Sequence, residues 1–208
     1  ETLARADAAL AGAEAGGESR ASVASEAPGP AHPRSADEWT RVLKAAVGNR
    51  WLKLQPFPVV EIVRDAVHWE CALRLKFDEH GDWQPAGQFL PVAERLHMTA
   101  ELDLAAVKLG LEALEGSLAG SDVALNLSPQ SVADPAFRAE LAALLGRNRT
   151  LAARLWLEVA ESGALIHLDA MTSLCRDLVP LGCRIGIEHF GRLEAEFHRG
   201  EVELGRHV

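Results

Sequence analysis

Three short runs of mainly apolar residues, each with one polar residue near its end, dominate the pattern of the chain. The runs are residues 123–127, 155–159 and 184–188, and the polar residues are Asn126, Glu158 and Glu188. The polar residues stand 32 and 30 residues apart, which is the length of one strand-helix-strand unit with its loops. The pattern therefore predicts successive parallel strands that bring an amide and two carboxylates to one rim of a sheet or barrel.

Apolar residues at helical spacing separate the predicted strands. One stripe contains Leu104, Val107, Leu111 and Leu114, and a second contains Met171, Leu174, Leu178 and Leu181. Asp134 and Pro135 supply an N-cap and a first helical residue for a helix through Phe137, Leu141 and Leu144. The alternation of strand and helix favours a parallel α/β architecture over a sandwich or a bundle.

Local signals also divide the first half of the chain. Ser35, with Glu38 three residues later, has the spacing of a capping box and predicts the start of a helix. Two extended segments follow at residues 52–63 and 67–75, and a turn is predicted at residues 80–82.

The domain organisation follows from composition. Residues 1–18 hold an Ala-rich helix that we assign to an upstream domain, and residues 19–34, rich in Ser, Ala, Gly and Pro, are typical of a linker. Residues 35–208 form the principal domain, and with 48% hydrophobic residues the chain can bury a sizeable core. A closed eight-stranded barrel typically needs ~250 residues, so we expect a barrel here to be incomplete at its C-terminus.

Charge and cysteine content narrow the function classes. The net charge is −9 without a Lys/Arg-rich run, which argues against general binding of DNA or RNA because the phosphate backbone needs a basic surface. No run approaches the ~18 apolar residues of a membrane span, so we expect a cytoplasmic chain, either alone or as the cytoplasmic part of a membrane-anchored protein. Cys71, Cys175 and Cys183 lack metal-site spacing and are predicted to be reduced.

Polar residues on the predicted strands are the candidate chemistry. Glu70 and Arg74 share one strand face, which suits a cation beside a phosphate, although a solvated polar face is the simpler interpretation. Asn126 either binds a ligand or ties down the loop that follows its strand. Glu158 lies in a run predicted to be buried on both faces, where an ionised carboxylate needs a cation, an Arg or several donors.

Three further polar residues complete the candidate set. Glu161 is expected mainly to stabilise a loop or a helix N-terminus. Glu188 and His189 end a strand side by side, and both reach one site only if the strand has already ended. An all-oxygen donor set favours Mg²⁺ or Mn²⁺ over Zn²⁺ and would support phosphate-ester hydrolysis by metal-activated water. That set consists of Glu70, Asn126, Glu158 and Glu188.

Together these motifs resemble the EAL domain, a TIM-type (β/α) barrel that hydrolyses or merely binds cyclic di-GMP. The resemblance extends over residues 39–191 and rests on segments that follow the family order. They are Glu70-Cys71-Ala72-Leu73-Arg74, Phe89-Leu90-Pro91-Val92-Ala93-Glu94, Asn126-Leu127-Ser128-Pro129-Gln130-Ser131, Leu157-Glu158-Val159-Ala160-Glu161-Ser162 and Arg184-Ile185-Gly186-Ile187-Glu188-His189-Phe190-Gly191. Residues 5–10 also resemble the closing helix of a GGDEF domain.

The resemblance implies roles for individual residues. The expected metal ligands are Glu70, Asn126 and Glu158, with Glu188 and His189 at the two following metal-site positions. The expected ligand contacts are Arg74, which would hold a phosphate, Pro91, and a glutamine that is either Gln55 or replaced by Phe57. Glu161 would stabilise a loop near a dimer interface, so a second copy of the chain is one expected partner. The resemblance of residues 5–10 makes an upstream GGDEF domain the other.

Two departures from the family pattern weaken the expected metal site. Glu188 and His189 stand where the family has two aspartates. Glutamate is one methylene longer, and histidine replaces an anionic oxygen with a neutral nitrogen, so a two-metal clamp should be impaired. The strand that carries the family's catalytic lysine has no counterpart before Val208, and we assign no catalytic residue.

Three functions follow, in order of preference. The first is a degenerate EAL domain that binds cyclic di-GMP as a receptor without cleaving it efficiently. The second is a Mg²⁺- or Mn²⁺-dependent phosphodiesterase that produces the linear dinucleotide pGpG. The third is a dimerisation or partner-docking module that binds no nucleotide.

Overall fold

The computed structural model describes residue 33, residues 35–60 and residues 66–188. The chain separates into two compact units. Among the described residues, the first unit contains residues up to 57 together with 71–109, and the second contains residues 58–60, 66–70 and 110–188. The predicted upstream helix, nearly all of the predicted linker, His189 and the tail lie outside the described residues.

The elements of the first half follow in chain order. They are helix α1 (Ala36–Gly48), strands β1 (Leu52–Val60), β2 (Ala66–Leu75) and β3 (Gln84–Pro85), a 3₁₀ turn (Ala86–Gln88), and helices α2 (Leu90–Arg95) and α3 (Thr99–Glu115).

The second half alternates strands and helices as predicted. Its elements are β4 (Val123–Leu127), α4 (Pro129–Ala133), α5 (Pro135–Arg147), α6 (Arg149–Ala152), β5 (Leu155–Ala160), α7 (Glu161–Ile166), α8 (Leu168–Leu178), a 3₁₀ turn (Val179–Leu181) and β6 (Arg184–Glu188).

Side-chain caps begin the helices that the sequence predicts. The Ser35 hydroxyl accepts a hydrogen bond of 3.2 Å from the N–H of Glu38 at the start of α1. The Asp134 carboxylate accepts one of 2.8 Å from the N–H of Ala136, next to Pro135, at the start of α5. Each cap satisfies an amide that has no partner inside its helix.

The predicted apolar stripes are buried, with two differences at their ends. Leu145 rather than Leu144 completes the buried stripe of α5. Leu181 lies beyond α8 in a 3₁₀ turn, because Pro180 lacks the N–H that another helical turn would need and its ring clashes with the preceding turn.

No helix in the described part of the chain is long and apolar enough to cross a membrane.

The first unit has its own apolar core. β2 pairs with β3 in antiparallel fashion, with Arg74 opposite Pro85, and the ring of Trp39 packs edge-on against Phe77 at 5.1 Å between centroids. The larger buried members of this core are Leu43, Leu52, Leu73, Leu75, Phe77, Phe89, Met98 and Leu102.

The second unit is built on a parallel sheet in the order β2–β4–β5–β6. Odd-numbered residues of β4 and β5 are buried, and Gly110 of α3 lies so close to this layer that a Cβ there would be 2.8 Å from Leu125 Cδ1. On the opposite face Asn126 is exposed and Glu158 is half-buried. The prediction that β5 is buried on both faces is therefore wrong for the described residues, because Trp156, Glu158 and Ala160 on the even-numbered side are only half-buried.

Candidate functional site

Asn126 and Glu158 lie side by side on the partly open face of the second unit. They are register partners on the adjacent strands β4 and β5, and hydrogen-bonded neighbouring strands run ~4.8 Å apart. An amide and a carboxylate are thus presented together, as the sequence spacing predicts.

Glu70 and Glu188 lie on the same face as this pair. Glu70 is nearer to the start of the strands and Glu188 is nearer to their end. Glu70 of β2 is opposite Ala124, two residues before Asn126, and Glu188 of β6 is opposite Ala160, two residues after Glu158. Because residues two apart on a strand point to the same side, the four predicted oxygen donors share one face. His189, the fifth predicted metal residue, lies outside the described residues.

The absence of a side chain at Gly186 leaves the space in which the Glu158 side chain lies. A Cβ at position 186 would lie 3.1 Å from Cγ and 3.3 Å from Oε1 of Glu158, so the carboxylate lies across the backbone of β6. Gly186 is not among the site residues predicted from the sequence. A glycine inside a strand, next to a strand that carries a carboxylate, was the available signal.

The carboxylates on this face influence one another. Burial raises the pKa of Glu158 above its ordinary value of 4.5; the charge of His68 lowers it, and the negative charges of Glu188 and Glu70 raise it again. Accumulated negative charge of this kind favours a proton or a cation.

The donor chemistry of the face fits a hard divalent cation. Glu70, Asn126 and Glu158 offer carboxylate and amide oxygens, the ligands that Mg²⁺ and Mn²⁺ prefer. Within the described residues, no three His, Cys, Asp or Glu side chains are gathered closely enough to enclose a metal ion. The residue types and their shared face fit the ion, whereas a closed cage is absent from this part of the chain.

A second layer of side chains, not predicted from the sequence, lies toward the start of the same strands. His68 stacks on the indole of Trp156 at 5.1 Å, and the guanidinium of Arg184 lies 4.9 Å from the same ring. Arg184 forms an ion pair with Asp122, to which the Trp156 indole N–H also donates at 3.4 Å. Trp156 precedes Glu158 by two residues on the same strand, so this layer lies on the same face as the carboxylates, nearer to the start of the strands. Two-residue spacing was the signal that could have found it.

The loops after β4 and β5 pack closely against each other. The hydroxyl of Ser128, rather than the side chain of Asn126, caps α4 by accepting from the N–H of Gln130 at 3.3 Å. Glu161 is the first residue of α7, in agreement with the predicted role of an acid at a helix N-terminus. A Cβ on Gly163 would lie 2.0 Å from Cγ of Pro129, so the two loops meet without space for a methyl group.

The predicted ligand contacts Gln55, Arg74 and Pro91 all belong to the first unit. Gln55 is half-buried in β1, Arg74 is half-buried in β2, and Pro91 is half-buried in the first turn of α2. Phe57, the alternative to Gln55, has 46% of its surface exposed. Their contacts with a ligand stay predictions.

Comparisons with known proteins agree with the motif pattern. The family sequence profile described as EAL domain matches residues 40–201. The cyclic di-GMP phosphodiesterase PdeF of Escherichia coli is 30% identical over 160 residues, which cover 76% of this chain and 21% of PdeF. The bifunctional diguanylate cyclase/cyclic di-GMP phosphodiesterase MucR of Pseudomonas aeruginosa is 33% identical over 127 residues, which cover 59% of this chain and 18% of MucR.

Among solved structures, the S helix-GGDEF-EAL portion of Vibrio cholerae LapD bound to c-di-GMP superposes with a TM-score of 0.82. It is 20% identical, and the match covers 92% of this chain and 46% of the LapD chain. At this identity the likeness concerns the fold. The chain spans about a fifth of the length of the curated relatives it matches.

Proposed function

The chain belongs to the EAL domain family and has its TIM-type (β/α) architecture, and from this premise we propose that it binds cyclic di-GMP as a receptor and cleaves it poorly. The observation that carries the proposal is the shared face of Glu70, Asn126 and Glu158, with Asn126 and Glu158 in direct register. A cation held there would attract a phosphate diester.

The metal in this proposal is Mg²⁺ or Mn²⁺, held by Glu70, Asn126 and Glu158. When bound, such an ion supplies charge neutralisation for the phosphate and a water of lowered pKa. The chain's own residues would orient the ligand: Arg74 would bind a phosphate through its guanidinium, while Gln55 and Pro91 would contact the remainder.

Glu188 is the residue expected to impair cleavage. Its negative charge raises the pKa of Glu158, so the two carboxylates already influence each other without an ion. A side chain one methylene longer than aspartate places its oxygens differently, and a two-metal clamp tolerates little change from a spacing of ~3.5–4 Å. Binding of the ligand needs less geometric accuracy than in-line attack by water.

Calorimetry together with a product assay tests the proposal. We expect the chain to bind cyclic di-GMP in the presence of Mg²⁺ and to form linear dinucleotide only slowly. Arg74→Ala should weaken binding, and Glu158→Gln should remove its dependence on metal. Rapid formation of linear product would contradict the receptor assignment. Absence of binding by the unaltered chain would favour a docking module that does not recognise the nucleotide, and binding unchanged by Arg74→Ala would contradict the role proposed for Arg74.

A metal-dependent phosphodiesterase is the second candidate, favoured by the three oxygen donors Glu70, Asn126 and Glu158 on one face of the sheet. The double variant Glu188→Asp/His189→Asp separates the two candidates. A large gain in turnover means that the natural residues impair the site, whereas fast turnover of the unaltered chain identifies an enzyme. The homodimer, the upstream GGDEF domain and the cytoplasmic location stay predictions.

A further inference from the structure

Two lysines of the first unit share one tryptophan ring. The ammonium of Lys53 lies 4.5 Å from the centroid of the Trp83 ring, and that of Lys76 lies 5.1 Å from it. Trp83 nevertheless keeps 37% of its surface exposed. Two cations are therefore held beside one aromatic group that is open to solvent, in a chain whose net charge is −9.

The two ammoniums are not neutralised within the described residues. Lys76 Nζ donates to the backbone carbonyl of Glu79 at 3.4 Å, and neither lysine forms an ion pair in that part of the chain, although the adjoining turn carries exposed acidic residues. Cation–π contacts at exposed sites contribute only ~0.5–1 kcal/mol each. An anion between the two ammoniums would relieve their mutual repulsion.

These residues lie on the same side of β2 and β3 as Arg74. Burial alternates from Arg74 through Phe77. Arg74 and Lys76 are half-buried on one side of the strand, and Leu75 and Phe77 are buried on the other. Arg74 is opposite Pro85 in the β2–β3 ladder, and Trp83 stands two residues before Pro85. Because cross-strand partners share a face, Arg74, Lys76 and Trp83 point to the same side, and Lys53 reaches it through the ring contact.

We propose that Lys53, Lys76 and Trp83 form a nucleotide contact beside Arg74, in which the two ammoniums bind a phosphate of the cyclic dinucleotide and the indole stacks on one of its bases. The inference rests on the function proposed above. Ammonium–phosphate contacts are charge-assisted hydrogen bonds, and stacking on an aromatic side chain accepts any base because every base has a π-face. The two ammoniums beside one exposed ring would thus add affinity beyond that from Arg74 alone.

The test compares charge-removing variants in the whole chain. Lys53→Met/Lys76→Met keeps the aliphatic stems over the ring and removes both charges, and Lys108→Met removes one charge from the exposed face of α3 as the matched control. Calorimetry with cyclic di-GMP at two salt concentrations gives affinity and its salt dependence. Tryptophan fluorescence of the unaltered chain and of Trp83→Leu reports stacking on this ring.

We expect Lys53→Met/Lys76→Met to weaken binding by about tenfold or more and to reduce its salt dependence, since charged hydrogen bonds contribute on that order. Lys108→Met should bind like the unaltered chain, and Trp83→Leu should lose part of the quenching. Equal affinity of the double variant and Lys108→Met overturns the inference and leaves the proposed function standing. An unaltered chain that does not bind cyclic di-GMP contradicts the proposed function itself.

Discussion

The carboxylate of Glu158 rests over the bare backbone of Gly186, the residue opposite it on β6. The register pairs these two positions directly, and the absent side chain at 186 leaves the space in which Glu158 Cγ and Oε1 lie. The direction of the Glu158 carboxylate, and with it the charge of the candidate metal face, therefore depends on a glycine that contributes no functional group.

Gly186→Ala should disturb the candidate site more than the fold. The new Cβ would lie 3.1 Å from Glu158 Cγ, so the flexible Glu158 side chain must turn away at a cost of about 1 kcal/mol or less. We expect metal-dependent ligand binding to fall about tenfold or more in calorimetry while the melting temperature changes by only a few degrees.

Gly146→Ala is the control for that comparison, because nothing lies within 4 Å of a Cβ at 146 in α5. Replacing a helical glycine should raise stability by ~0.5–1 kcal/mol and leave binding unchanged. If Gly186→Ala and Gly146→Ala bind equally well, the position of the Glu158 side chain does not control the site.

Glu158→Gln should stabilise the chain at neutral pH. Burial and the charges of Glu188 and Glu70 raise the pKa of Glu158 above 4.5 despite the opposing effect of His68. A raised carboxyl pKa means that ionisation is harder in the folded chain than in the unfolded chain, so the ionised group costs stability above its folded pKa and costs none below the unfolded value. The variant should melt higher at pH 7 and nearly equally at pH 4.

Thermal unfolding at both pH values checks this expectation, with Glu140→Gln on the exposed side of α5 as the control. Mg²⁺ should raise the melting temperature of the unaltered chain and not that of Glu158→Gln, because bound metal adds stability by mass action. A lower melting temperature for Glu158→Gln at pH 7 without metal would contradict the cost that burial and the neighbouring carboxylates place on the ionised Glu158.

Gly163→Ala should destabilise the second unit. Its Cβ would lie 2.0 Å from Cγ and 2.4 Å from Cβ of Pro129, and a proline ring at the start of a helix cannot rotate away. Overpacking of this kind costs ~1–3 kcal/mol. Chemical denaturation should show a lower midpoint than in Gly146→Ala, and an unchanged midpoint would mean that the loops after β4 and β5 separate without cost.

Cys183 should resist thiol reagents in the native chain. Burial raises the pKa of its thiol to about 12, and its S–H donates to the carbonyl of Leu155 at 3.3 Å. Thiolate would then be about one part in 10⁴ at pH 8. Cys175 is half-exposed and should react first, so Cys175→Ser should remove the fast phase and Cys183→Ser should keep it. Rapid labelling of Cys183, located by mass spectrometry, would contradict its burial.

Local rules account for the parts of the fold that the sequence predicted well. Ser35 and Asp134 cap helices because each side chain bonds an amide two or three residues away, which depends on nothing distant. The strand spacing also placed Asn126 beside Glu158, since strands of similar length joined by similar helices bring equivalent positions into register.

The unpredicted parts depend on contacts between distant segments. As an apolar residue Trp156 makes β5 resemble a strand buried on both faces, yet its indole lies on the polar side between His68 and Arg184. The Glu158–Gly186 and Gly163–Pro129 contacts require knowledge of side-chain direction across neighbouring strands and loops. Composition and spacing along one segment contain no such information.

Successive side chains of β4 and β5 point to opposite faces, so the residues that stabilise the second unit are separate from the polar residues of the candidate site. Leu125, Leu157 and their odd-numbered neighbours supply the cohesion, and Asn126 and Glu158 supply the charge and the donors on the reverse side. Exchanging a donor on that reverse side leaves the buried leucine layer in place. A domain constructed in this way can therefore change the donors on one face and keep its fold.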